Sequence, residues 1–156
     1  MTVAVVERWV ETPLRSFVQD AQVTLALLLT PSGQVLGQHG FNRAMDVMAA
    51  CALAAAIHAS SAELGKLLEG KPFAGLHHAG ATRQIFLAPA ETRRGTLLCL
   101  TVFDEATSIG IVQLYFDELR ERLAAGAPGA RTPPQGVLAD TFEQDLNRNL
   151  TLLFRR

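Results

Sequence analysis

The stretch from Asn42 to Glu69 constrains the fold of this chain more than any other. It is rich in alanine, leucine and methionine and stops at Gly70 with Pro72 just beyond, which predicts one long helix. In its first half the apolar residues run nearly all the way round: Met45, Val47, Met48, Ala49, Ala50, Cys51, Ala52, Leu53, Ala54, Ala55, Ala56 and Ile57. Such a helix has to be covered on more than one side. Its alanines have little bulk, so another helix can approach closely. Burial in the core of one monomer and burial against another protein both satisfy this pattern.

Composition repeats the point for the whole chain. Of its 156 residues 49% are apolar and 19% charged. With glycine counted and tyrosine left out, the apolar share is roughly 56%, above the 45–50% usual for soluble domains. A chain of this length is one compact domain that needs no staples. Cys51 and Cys99 sit inside apolar runs and read as buried free thiols. A net charge of −1 argues against nucleic acid as the main partner. The most apolar run, from Ala44 to Ile57, contains Asp46 and, at about 14 residues, falls short of the ~20 that span a bilayer. The start Met-Thr-Val-Ala lacks the basic region of a signal peptide. The expectation is a soluble, cytoplasmic protein without membrane insertion.

Elsewhere the periodicity predicts a helix-strand-strand-helix-strand-strand-strand-helix order. Val3, Val6, Val10, Leu14 and Phe17 recur at steps of three and four, a helical stripe. Pro13 falls inside it, so the helix either kinks there or starts there; one kinked helix from Val3 to Asp20 is the expectation. Val23 to Thr30 and Gln34 to Gly40 flank Pro31-Ser32-Gly33 and read as a hairpin whose first strand is buried on both faces. Ala74 to Gly80, Gln84 to Ala88 and Thr96 to Phe103 read as strands. A helix follows the capping-competent run Asp104 to Ser108, with Ile111, Leu114, Tyr115, Leu119 and Leu123 as its stripe. The chain therefore divides into a domain over 1–125, a Pro/Gly-rich linker over 126–136 and a C-terminal amphipathic helix over 137–156. In that last segment Leu138, Phe142, Leu146 and Leu150 recur every fourth residue, and Asp140 with Glu143 forms a capping-box pattern.

Catalytic chemistry finds no foothold. There is no glycine-rich phosphate loop followed by lysine. His77-His78 with His58 or His39 makes a poor metal site, because adjacent residues on a strand point to opposite faces. Ser60-Ser61 and Thr107-Ser108 lack the strand-turn-helix elbow of an activated serine and read as helix-surface hydroxyls and caps. Arg93-Arg94 and Arg83 lie in turns, where solvation explains them better than an anionic partner. No cofactor, metal ligand or catalytic residue is expected. An apolar surplus, a small-residue helix and a tethered amphipathic tail speak of binding protein.

The segments ALLLTPSGQVLGQHG, ACALAAAIHASSAELGKLLEG and LLCLTVFDEATSIGIVQLYFDEL resemble the Roadblock/dynein light-chain family, in particular its bacterial MglB-type subgroup. The likeness runs from about Val3 to Ala125, and Phe103-Asp104 leading into Thr107-Ser108-Ile109-Gly110 is its most specific part. It implies an α/β sandwich with a five-stranded antiparallel sheet, the first and third helices on one face and the second on the other. It also implies a homodimer paired through the long helix and the strand after it, placing Met45, Met48, Ala52, Ala55, Ala56, Ala59, Leu76 and His78 at the interface. The implied partner is a Ras-like small GTPase, whose GTP hydrolysis or nucleotide exchange the dimer stimulates without an arginine finger. The tail residues Phe142, Leu146, Leu150, Leu153 and Phe154 are the implied partner-binding stripe. A non-regulatory scaffold or light-chain-like adaptor is the alternative, and a small-molecule sensor domain a weaker one. Two features depart from the family pattern: Pro13 within the first helix, and a tail with few acidic residues that ends in Arg155-Arg156.

Overall fold

The fold is seen in a computed structural model that describes residues 3–129. The elements are β1 (Val3–Val5), a 3-10 turn (Arg8–Val10), α1 (Glu11–Ala21), β2 (Leu25–Leu29), β3 (Val35–His39), α2 (Ala44–Glu69), β4 (Leu76–Ala79), β5 (Gln84–Thr92), β6 (Gly95–Phe103) and α3 (Ile109–Gly126). The strands form one antiparallel sheet in the order β1-β3-β2-β6-β5-β4. The expected sandwich is present, with six strands instead of five.

The extra strand corrects the reading of the N-terminus. Val3 and Val6 match a helical spacing, yet this short valine-rich run is β-branched and suits a pleated edge better than a helix. Val3 is buried by pairing with His39, while Val6 is 71% exposed. The N–H groups of Val6 and Glu7 both donate to the Leu36 carbonyl oxygen, at 2.8 and 3.4 Å, and turn the chain. The helix begins at Glu11, so Pro13 occupies its first turn, where the missing N–H costs nothing. It starts the helix and does not kink it.

Period two divides the strands between two cores. Ala26 and Leu28 of β2 face α1 and α3 together with Cys99 and Phe103 of β6 and Phe86 and Ala88 of β5. Leu27 and Leu29 face α2, with Leu98 and Leu87. β2 is thus buried on both faces, as its uninterrupted apolar run predicts. The first core is the larger, because two helices close it: α1 through Leu14, Phe17 and Val18, and α3 through Val112, Phe116, Leu119 and Leu123. Of the expected α3 stripe, Leu119 and Leu123 are buried and Tyr115 packs on the core, whereas Ile111 is 41% and Leu114 57% exposed, their places taken by Val112 and Phe116. Among the described residues α2 is the one helix on the other face.

β5 extends beyond its expected end at Ala88 and contains Pro89. Proline cannot donate to a ladder, but β4 stops pairing at Leu76 opposite Leu87, so Pro89 sits where β5 has become an edge.

Candidate functional site

The long helix ends at Gly70, whose φ of +74° suits glycine and whose N–H donates to the Lys66 carbonyl oxygen at 3.0 Å. Of its 26 residues only Cys51, Ala54 and Gly65 are buried. Val47, Ala50, Ala55 and Ile57 are half-buried against the sheet. The opposite side is open and still apolar: Met45, Met48, Ala52, Ala56 and Ala59 are exposed, flanked by Leu53, Leu64 and Leu67. Among the described residues α2 is the one helix long and apolar enough to cross a membrane by length and composition alone. Only 11% of its most apolar stretch is buried, although its inner face is built into the sandwich.

The structure therefore brings together most of the expected pairing residues. Ala55 is the exception on α2, since it is turned toward the sheet. On β4, Leu76 is half-buried against the α2 layer and His78, two residues on, is exposed on the same face. Among the described residues β4 pairs only with β5, so its other edge is unpaired. Phe142, Leu146, Leu150, Leu153 and Phe154 lie outside the described residues, as do the linker beyond Gly129 and the tail helix.

The remaining polar candidates have local roles. His77 points to the face opposite His78; its Nε2 is 2.7 Å from Gln84 Oε1 and its ring stacks on Phe103. Burial lowers the His58 pKa, partly opposed by the Glu91 charge. The Ser60 hydroxyl donates to the Ala56 carbonyl oxygen at 2.9 Å, and the Ser108 hydroxyl accepts the Ile111 N–H to cap α3. Arg94 reaches Glu7 across 3.4 Å, and the Arg83 carbonyl oxygen accepts the Gly80 N–H at 2.8 Å. Cys51 and Cys99 are free and buried; burial raises both thiols, Cys99 to about 12 despite a contact with Thr101. Among the described residues no group of three or more His, Cys, Asp or Glu side chains could hold a metal ion.

The family model of the Roadblock/LC7 domain matches residues 10–102, from the last residue of the 3-10 turn to the end of β6. The chain belongs to the Roadblock/LC7 family. Solved structures agree with that placement. Myxococcus xanthus MglB superposes with a TM-score of 0.67 at 22% identity, over 74% of this chain and 92% of that one. A structure described as MglB with tetrameric arrangement gives 0.65 at 26% identity, over 77% and 88%. The gliding protein MglB from Thermus thermophilus gives 0.66 at 24%, over 77% and 89%. A comparison with curated protein sequences finds no match. Within a Roadblock/LC7 domain α2 is a layer of the sandwich, and its bare side is the surface left to explain.

The expected pairing set includes Leu76 and His78 on the strand after the helix and leaves out two flanking leucines. The flanking Leu64 and Leu67 lie in the polar-looking second half of the helix, among Glu63, Lys66 and Glu69. Neither the N-terminal strand nor the bare edge of β4 has a signal in periodicity, because both depend on which strand ends up outermost.

Proposed function

We propose that this Roadblock/LC7 protein is a homodimeric, cytoplasmic regulator of a Ras-like small GTPase. The observation that carries the reading is the apolar outer face of α2, beside the unpaired edge of β4. In an isologous pair the same patch appears on both partners, so one exposed helix buries against its own copy. Alanines at positions 52, 56 and 59 let two helix axes come close, and Met45 and Met48 supply adaptable bulk around them. The likeness to MglB structures, one of them described as tetrameric, supports self-association.

The MglB-type resemblance supplies the GTPase. The regulator contributes shape and leaves the chemistry to its partner, in keeping with the local roles of its arginines and hydroxyls. Binding the hydrolysis- or exchange-competent state more tightly raises that state's population, and each 1.4 kcal/mol of preference is about tenfold. The domain over 1–125 forms the dimer, the linker over 126–136 tethers the rest, and the stripe Phe142, Leu146, Leu150, Leu153 and Phe154 adds contact with the GTPase. The test is to mix the protein with its GTP-loaded GTPase and follow phosphate release and nucleotide exchange. Acceleration of either is the expected result, and no change in both refutes the reading. A complex that forms equally well with GDP and GTP, without any rate effect, identifies a scaffold instead.

A further inference from the structure

On the sheet face opposite α2, a groove of about 450 Å³ runs between α3 and β4. Phe86 and Phe116 form its floor, packed edge to face at 5.4 Å, and Phe73, His77 and Arg120 rise from its walls. Gly75 keeps it open: a Cβ there would meet the Phe86 ring at 3.1 Å.

Charge gives the groove a direction. At the end nearer the C-terminus of α3, Arg120 lies over the Phe116 ring, with Asp117 beside it in the lining. Arg120 contacts Asp117 at a long 3.7 Å, and its Nε is buried without a hydrogen-bond partner among the described residues. A buried, unmatched N–H on a cation is costly and calls for an acceptor. His77 stacks on Phe103 toward the other end, where Asp104 and Glu105 outnumber Arg83 around the adjoining cavity.

The chain beyond Gly129 carries the matching pattern in reverse. Its apolar stripe Leu138, Phe142, Leu146 and Leu150 is preceded and flanked by Asp140, Glu143 and Asp145, whereas the last ten residues hold Arg148, Arg155 and Arg156. α3 ends six residues past Arg120, roughly 9 Å further along the helix axis. The ten residues from 127 to 136 reach at most ~33 Å when extended, ample for the chain to turn back. We propose that residues 137–156 dock as a helix in this groove of their own chain, antiparallel to α3. That direction sets the acidic half against Arg120 and the basic half against Asp104 and Glu105. A second groove, between β1, β3 and the start of α2, has Arg43 as its one charged lining residue and offers no such match. Docking does not depend on the GTPase reading. If that reading holds, the stripe cannot serve groove and GTPase at once, and partner binding must first release it.

The experiment is paramagnetic broadening in the full chain. A nitroxide is attached at Ala79→Cys, beside the acidic end of the groove, or at Ala74→Cys, in the lining next to Phe73 at the other end. The buried native thiols, both raised in pKa, leave the new cysteine as the reactive one. The expected result is loss of amide signal around Leu150 to Phe154 from the first probe and around Phe142 from the second. Arg120→Glu should restore the signals, and adding Glu143→Arg with Asp145→Arg should remove them again, while unchanged shifts of Leu27 and Leu28 certify the fold. Tail signals at full strength with both probes overturn the proposal. So does broadening seen only when spin-labelled and isotope-labelled chains are mixed, which would place the tail on another copy.

Discussion

The pairing face can be tested with one side chain. Met48 is 71% exposed on the outer side of α2, and Met48→Ala removes three heavy atoms beyond Cβ. At about 0.8 kcal/mol for each buried methylene-sized group, full burial of those atoms contributes about 2.4 kcal/mol. Pairing can take from water only the part now exposed, which leaves about 1.7 kcal/mol per copy. An isologous interface contains the substitution twice, so the dimer loses about 3.4 kcal/mol, roughly 300-fold in dissociation constant. The isolated monomer loses almost nothing, because the side chain touches little of its own core and alanine is the better helix former. Sedimentation across a concentration series reads the first quantity, and a melt under dissociating conditions reads the second. A dimer of unchanged strength, or a monomer destabilised by the full 2 kcal/mol, refutes the assignment of this face to a second copy.

The other predictions concern the monomer and its tail. Gly65→Ala should lower the melting temperature although alanine favours helix, because the new Cβ would stand 2.6 Å from the Phe73 nitrogen and 2.8 Å from the Lys71 carbonyl oxygen; a raised melting temperature refutes the close approach. Cys51 and Cys99 should resist a thiol reagent at pH 8 in the native protein and react once it is unfolded, since burial raises both pKa values; rapid native labelling of Cys99 contradicts its burial. The His58 pKa is lowered by folding, so the unfolded chain takes up its proton first. Stability is therefore full above the ordinary value of 6.5 and falls as the pH drops below it. Urea midpoints at pH 7.5 and 5.5 should differ less in His58→Gln than in the parent; an equal difference removes His58 as a source. Ending the chain after Pro128 should leave a folded dimer with weaker effect on the GTPase, and an aggregating or unfolded product would make the tail part of the core.

What was legible in the sequence follows from how local each signal is. The hairpin at Pro31-Ser32-Gly33 is fixed by residues in contact: the Thr30 N–H donates to the Gln34 carbonyl oxygen at 2.8 Å, and Gly33 adopts a φ of +89°. The start of α3 is equally local, with Ser108 as its cap. The N-terminus misled because Val3 with Val6 fits a helical step and Val3 with Val5 a strand step over so short a run, and the choice is made by an edge of β3 that lies more than thirty residues away. The first turns of the α3 stripe differ for a related reason, while Leu119 and Leu123 face inward as expected. Ile111 and Leu114 are as apolar as Val112 and Phe116, and only the position of α1 and the sheet decides which pair faces inward. The groove beside α3 had no sequence signal at all, since Phe73, Phe86 and Phe116 come from three separate elements.

The two faces of the sheet explain why the proposed pairing surface lies on α2. On the face covered by α1 and α3, each helix needs a narrow stripe and can spend its other positions on charge: α1 carries Glu11 and Arg15 as an ion pair, and α3 carries Asp117 and Arg120. Among the described residues α2 covers its face by itself, burying Cys51 and Ala54 on the sheet and Gly65 against the loop that follows the helix. The monomer thus makes modest demands on α2, and positions 45, 48, 49, 52, 53 and 56 are free to be polar as far as its own stability goes. Lysine or glutamate would serve those positions in water with almost equal helix propensity. That they are methionine, alanine and leucine instead fits the proposed pairing with a second copy of the chain. An isolated monomer would therefore lose little, and gain solubility, from a charge at Ala56; the proposed dimer could not bury two such charges across its twofold axis.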